Sequence, residues 1–327
     1  MTVTVFGTAP DGRAVHRIEL AQGALRVALL DWGAILQDVR LEGIDWPLTA
    51  GSAEFRAYLG PLRWFGAIVG PVANRLAGAE ALIGGRPFRF AANEGATLLH
   101  GGAAGTHARL WDIAETGPAH ARLRLRLPDL CDGFPGTREI EALFRLEPPA
   151  TLTLALSARS DAPTLMNLAN HSYWTLDGGG GIGGQRLRVA AAHWLPTDAG
   201  LPTGEIRAVS GRHDLRADRM LAATEAIDHN FCLAEAPRAL TEAARLTGRQ
   251  GLRLTLLTTA PGLQVYTGAH LDSEGFAGHH GLPYGPHDAL ALEPQLWPDA
   301  PRHAGFPSIR LGPGETFRQE TRFAFSR

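Results

Sequence analysis

Apolar and polar residues alternate with period two along much of this chain, the pattern of strands with one buried face. Arg122-Leu-Arg-Leu-Arg-Leu127 is the strictest case. It predicts a strand whose arginines face solvent. Similar runs predict strands at Thr2 to Phe6, His16 to Leu20, Leu25 to Leu30, Leu36 to Leu41, Arg138 to Leu146, Thr151 to Ser157, Leu187 to Ala190, His193 to Leu195 and Thr321 to Phe325. Turns are expected at Asp11-Gly12, Gln22-Gly23, Gly84-Gly85 and Pro313-Gly314. Leu252 to Thr259 and Leu263 to Thr267 predict a hairpin around Pro261-Gly262. Only two stretches favour helix. Ser52 to Tyr58 has Ser52 as an N-cap, and Ala234 to Arg249 is alanine-rich. The reading is all-β: one large antiparallel domain over residues 1–327, with its halves packed as a sandwich.

Composition narrows the classes. At 327 residues and 45% hydrophobic, the chain has enough apolar surface for a large core. Its 31 basic and 33 acidic residues are well mixed, so no basic stripe suggests nucleic acid. Cys131 and Cys232 make neither a disulfide framework nor a zinc set, and they fit a reducing, cytoplasmic setting. The N-terminus lacks a basic segment followed by an apolar one, so no signal peptide is expected. No apolar run reaches the ~20 residues of a membrane span.

Candidate chemistry begins with Asn167-Leu-Ala-Asn-His-Ser-Tyr-Trp174. It sets His171 among amides, hydroxyls and two large rings. Rings can cover the C–H faces of a sugar while amides and imidazole meet its hydroxyls. Alone, the stretch reads first as a sheet-edge histidine with a satisfied hydrogen bond. Glu293, in the apolar strand Leu290 to Trp297, must be exposed, paired or functional. Arg75 ends a glycine-rich run that lacks the Gly-Lys-Ser/Thr ending of a phosphate loop, and it offers a rigid fork of donors. His100 stands before two glycines that permit close approach. His279-His280 lacks metal-ligand spacing.

Several pieces together resemble the aldose 1-epimerases (galactose mutarotases). They are Gly70-Pro-Val-Ala-Asn-Arg75, Asn93-Glu-Gly95 with Leu99-His-Gly-Gly102, Gly133-Phe-Pro-Gly136 and Asn167 to Tyr173. Pro202-Thr-Gly-Glu205, Asp228-His-Asn-Phe231, Gln264-Val-Tyr-Thr-Gly268, Leu292-Glu-Pro-Gln295, Pro298-Asp-Ala-Pro301 and Phe306-Pro-Ser308 complete an ordered set. The resemblance implies a β-supersandwich with a sugar cleft on one sheet, and a strand rather than a helix near Ala243 to Leu246. It implies Glu293 as general base and His171 as general acid. Arg75, His100 and Asp228 would hold the sugar, Asn74 would support the site, and Gln295 and Tyr173 would border the cleft.

The implied activity is the interconversion of α and β aldose anomers by ring opening, with a monosaccharide as partner and no cofactor or metal. Such chemistry needs one acid and one base within hydrogen-bond reach of the hemiacetal. An exposed cleft would leave Glu293 ionised, and a nearby carboxylate or hydroxyl would raise the pKa of His171. Departures at Pro71, Thr106 to Arg109 and Trp174 bear on the choice of sugar. An epimerase for a phosphorylated or otherwise modified sugar, using Arg63 or Arg109, and a non-catalytic sugar-binding protein are the alternatives. The motifs leave the preferred aldose open, and the oligomeric state open between monomer and homodimer.

Overall fold

The period-two stretches become strands in a computed structural model that describes residues 1–327. Arg122-Leu-Arg-Leu-Arg-Leu127 lies in the strand His120–Leu127, where its leucines are buried. Arg122 and Arg124 reach solvent and bond Glu141. This strand belongs to a nine-stranded antiparallel sheet. Its order runs through Asp112–Gly117, His120–Leu127, Arg138–Glu147, Thr151–Ser160, Phe317–Ser326, Arg253–Thr258, Thr241–Thr247, Arg186–Val189 and Arg219–Met220.

A six-stranded sheet carries the cleft. Its order is Tyr173–Trp174, Leu290–Gln295, Gly262–Tyr266, Asp228–Cys232, His193–Trp194 and Arg207–Ala208. Residues directly opposite across an antiparallel pair share a face. Leu292 stands opposite Val265, and Leu263 opposite Phe231. All four join the main core with Leu154, Phe144 and Phe323 of the nine-stranded sheet. That apolar layer between two sheets is the β-supersandwich expected from the sequence. The other face of the six-stranded sheet is polar: Glu293 stands opposite Gln264, and Asp228 opposite Tyr266. A four-stranded sheet, Thr2–Thr8 to Ile35–Leu41, packs at the N-terminal side. No helix is long and apolar enough to cross a membrane.

Three local expectations change. The alanine-rich segment is not helical, because Thr241–Thr247 is a central strand paired on both sides. Sheet pairing and the burial of Ala243, Ala244 and Leu246 outweigh propensities worth tenths of a kcal/mol per residue. Arg253–Thr258 and Gly262–Tyr266 do not form a hairpin. The first pairs with Phe317–Ser326 and the second with Leu290–Gln295, so Pro261 turns the chain from one sheet to the other. The helix near Ser52 is a single turn, Phe55–Tyr58, and its N-cap is Glu54 rather than Ser52.

Asn167 ties two distant segments. Its side-chain amide donates to the Leu296 carbonyl at 3.1 Å, and its Oδ1 accepts from the Leu296 N–H at 2.8 Å. Asn167 is fully buried. Asn167→Ala should therefore cost about 2–4 kcal/mol, because two buried backbone groups lose their partners. Urea unfolding would read this as a lower midpoint with an unchanged slope.

Candidate active site

Glu293 is the fourth residue of Leu290–Gln295, and strand alternation sends it away from the leucine core. His171 lies between the short strands Ala169–Asn170 and Tyr173–Trp174. Its backbone is fixed on both sides, by its N–H to the Ala67 carbonyl and by its carbonyl from the Gly66 N–H. Asn170 reinforces the junction by donating to the Gly66 carbonyl at 2.7 Å. These ties bring His171 Nε2 to 3.6 Å from Glu293 Oε2. Both side chains are buried, and both line a cleft of about 230 Å³.

The same cleft receives Asn74, Arg75, His100, Tyr173 and Asp228. Arg75 begins a short strand beside Leu98–Leu99. Its guanidinium makes a two-pronged ion pair with Glu94, at 2.6 Å from Nε and 2.8 Å from the terminal nitrogen. Such forks hold an arginine in one orientation. His100 and Asn74 have left-handed backbones, with φ of 52° and 61°. Strain of this kind persists where surrounding contacts enforce it. Here the Asn74 N–H donates to His100 Nδ1 at 3.1 Å, and Asn74 Oδ1 accepts from the Arg75 N–H at 2.8 Å. With Nδ1 accepting, His100 carries its proton on Nε2. Asp228 is held by Gln264, whose amide donates to it at 2.6 Å. Trp64 packs against both histidines, 5.1 Å from His100 and stacked at 6.4 Å on His171.

Burial governs the electrostatics. It holds the His171 imidazole down to about 4. It pushes the Glu293 carboxyl well above the usual range, with Asp228 adding and Arg75 opposing. An ion pair would move both groups the other way. At 3.6 Å, with both side chains at most 5% exposed, desolvation outweighs the attraction and the uncharged forms are favoured. The sequence expectations of an exposed, ionised glutamate and an elevated histidine are therefore overturned. His100 also falls well below its ordinary value, through burial first and then through the nearby His171, His107 and Arg75, whose charged forms would repel its own. Burial raises Asp228, while Gln264 and Arg75 pull it back.

Known proteins match this chain along its length. The family profile described as aldose 1-epimerase matches residues 16–324. The chain belongs to the aldose 1-epimerase family. Galactose mutarotase of Mus musculus is 34% identical, covering 100% of this chain and 98% of the relative. Aldose 1-epimerase of Escherichia coli (strain K12) is 30% identical, with 97% of each covered. Among solved structures, an aldose epimerase homologue from C. elegans superposes with a TM-score of 0.90 at 28% identity, over 96% of this chain and 99% of the other. Galactose 1-epimerase from Lactobacillus acidophilus gives 0.86 at 26%, over 99% and 98%.

Within this family frame, all six site residues expected from sequence line one cleft. Tyr173 borders it as expected, with its ring 5.0 Å from His171. Gln295 does not. It is fully buried, and neither of its amide atoms has a partner. It shares the polar face of the sheet with Glu293, but sits opposite Gly262, beyond the cleft. The sequence motifs assign no role to Glu94, Gln264 and Trp64, which the structure places on the cleft residues. Glu94 stands within the quoted Asn93-Glu-Gly95, and the need of a part-buried arginine for a counter-charge is the signal that points to it.

Six histidines are held below their ordinary value by burial first: His100, His107, His171, His213, His229 and His279. As pH falls from about 6.5 toward 4, the unfolded chain takes up protons that the folded chain refuses. Stability is then lost, by at most about 1.4 kcal/mol per pH unit for each group. Glu293, Asp31, Asp228 and Asp299, raised by burial, work in the opposite sense, but they are four groups against six. The urea midpoint should therefore be clearly lower at pH 5 than at pH 7. An equal or higher midpoint at pH 5 would contradict the burial of these rings.

Proposed function

We propose that this chain is a mutarotase. It interconverts α and β aldose anomers, with Glu293 and His171 exchanging protons with the sugar. The observation that carries the reading is the 3.6 Å approach of a buried glutamate oxygen to a buried imidazole nitrogen on the floor of a sugar-sized cleft. O1 and the ring oxygen O5 are both bonded to C1, so an acid and a base only a few ångströms apart can serve both. Glu293 removes the O1 proton while His171 delivers one to O5. The C1–O5 bond breaks, its electrons going to O5, and C1=O1 forms. Rotation about C1–C2 and the reverse transfers close the ring with the other configuration.

The shift directions fit this cycle. A charged pair (carboxylate and imidazolium) and an uncharged pair (carboxylic acid and imidazole) hold the same number of protons. Ring opening converts the first into the second, and ring closure restores it. Burial favours the uncharged pair, which offsets part of the cost of forming the less stable open-chain aldehyde. Arg75, His100 and Asp228 bind sugar hydroxyls, and Asn74 sets the geometry of both Arg75 and His100. The chain's function in carbohydrate metabolism, a cytoplasmic location and a monosaccharide partner belong to this proposal. A core that runs without a break from Ile18 to Phe325 supports reading residues 1–327 as one domain.

The modified-sugar alternative finds less support. Arg109 is turned away to Asp132, at 2.8 Å, and Arg63 lies over the Trp64 ring, outside the cleft. Arg75, the cleft's arginine, is already paired with Glu94. Polarimetry on fresh α-D-glucose, α-D-galactose and pentoses tests the proposal. Acceleration above the spontaneous rate supports it, and none with any free aldose overturns it.

The same assay reads the role of Arg75. Arg75→Lys keeps the charge but loses the fork to Glu94. It should lower kcat/KM by about 10–100-fold, the loss of one charge-assisted hydrogen bond, mainly through KM. A change confined to kcat would instead place Arg75 in the chemical step.

A further inference from the structure

The charges of the cleft are unbalanced. Glu94, Asp228, Asp272 and Glu293 line it, against a single arginine, Arg75. Glu94 takes that arginine in the two-pronged ion pair. The Glu293–His171 pair carries no net charge in either of its one-proton forms. With histidines neutral at pH 7, no lining cation answers Asp228 and Asp272. Asp228 Oδ1 accepts from the neutral Gln264 amide, and Asp272 Oδ1 from the Glu274 N–H at 2.7 Å. Each keeps its second oxygen free of any hydrogen bond within the protein. Polarity also divides along the cleft. The Arg75 guanidinium and His100 Nε2–H are donors, suited to hydroxyl oxygens, whereas a carboxylate only accepts. Asp228 lies near Glu293, because Gln264 stands opposite Glu293 and reaches Asp228 with its amide. Neighbouring strands are about 5 Å apart. With C1 of a sugar over Glu293, a substituent on the adjacent carbon, C2, therefore comes within reach of Asp228 Oδ2.

We propose that the cleft prefers 2-amino-2-deoxy aldoses in their ammonium form over neutral aldoses, and that it turns away sugars bearing a carboxylate. Turnover of such sugars rests on the mutarotase reading, whereas the binding preference rests on the charges alone. The amine resembles an α-amino group, whose ordinary pKa is about 8, so it is mainly protonated at pH 7. An ammonium donates and cannot accept, which suits it to Asp228 and not to the Arg75 and His100 side. Its hydrogen bond to a carboxylate is about twice as strong as one between neutral groups. Asp272, exposed at the mouth, adds attraction that salt screens.

NMR titrations at pH 7 and low salt with D-galactosamine, D-galactose and D-galacturonate test the preference without using activity. Galactosamine should bind about tenfold more tightly than galactose, the surplus of one charge-assisted hydrogen bond over a neutral one. Galacturonate should bind more weakly than galactose. In polarimetry the same order should appear in kcat/KM, through KM. The advantage of galactosamine should shrink when salt is raised to about 0.5 M. Asp228→Asn should bring the galactosamine-to-galactose binding ratio close to one, and Asp272→Asn should lower it by a smaller factor. Equal binding of the two sugars, or a ratio that Asp228→Asn leaves unchanged, overturns the proposal, and acceleration of galactose mutarotation alongside it leaves the catalytic reading standing. Tighter binding of galactosamine with no acceleration of any aldose keeps the preference and overturns the catalytic reading instead.

Discussion

Replacing Glu293 with glutamine is expected to slow mutarotation by about 10²–10⁴-fold, the range for removing a positioned general base. The substitution is nearly isosteric and changes one oxygen to an amide nitrogen, so the strand Leu290–Gln295 and its neighbours should stand. A second readout separates lost chemistry from lost fold. Burial raises the Glu293 carboxyl well above its ordinary value, so at pH 7 the folded chain carries this group at a cost relative to the unfolded chain. A neutral amide escapes that cost, and the variant should melt higher than the wild type. A slow enzyme with raised stability is the signature of a group held for chemistry against the preference of its surroundings. A slow variant that also melts lower would point to a structural role. A variant near the wild-type rate would remove Glu293 from the mechanism.

His171→Asn should cost a comparable ~10²–10⁴-fold in kcat. Its side chain makes no hydrogen bond that holds the fold: Nδ1 has no partner, and the backbone ties at Ala67 and Gly66 survive substitution. The wild-type pH profile supplies the discriminating evidence. The active pair carries one exchangeable proton, and its charged and uncharged forms stand in a pH-independent ratio. With His171 held down to about 4 and Glu293 pushed up, that one-proton state persists from about pH 4 across neutrality. The profile of kcat/KM should therefore be flat near pH 6.5 and fall on the acid side only near 4, where the second proton binds. A limb centred near 6.5 would show an exposed, ordinary histidine and contradict the buried pair.

The polar face of the six-stranded sheet explains how one fold accommodates these demands. Strand alternation places Glu293, Gln264, Asp228 and Tyr266 together while Leu292, Val265 and Phe231 fill the core behind them. The site thus stands on paired strands, while the short strand Arg75–Leu76 and two connecting segments supply Arg75, His100 and His171. Rigid support of this kind keeps an acid–base pair in register for two proton transfers.

Much of this was written in the sequence. Period-two alternation alone marks strands such as His120–Leu127, Arg138–Glu147, Thr151–Ser160 and Phe317–Ser326, because each pairs in a sheet with one face in the core. The ordered motifs mark the cleft residues Asn74, Arg75, His100, His171, Asp228 and Glu293, because chemistry constrains residue type at each position. Tertiary structure decided the rest, for reasons of range. Whether Arg253–Thr258 and Gly262–Tyr266 pair with each other or enter separate sheets depends on partners 25 or more residues away. Whether Ala234 to Arg249 is helix or strand depends on neighbours that propensity does not see. The ion pair of Arg75 with Glu94 and the displacement of Gln295 from the cleft are products of packing. So is the inverted protonation of the His171–Glu293 pair: residue type sets a group's ordinary pKa, but only the three-dimensional fold sets how much water remains around it.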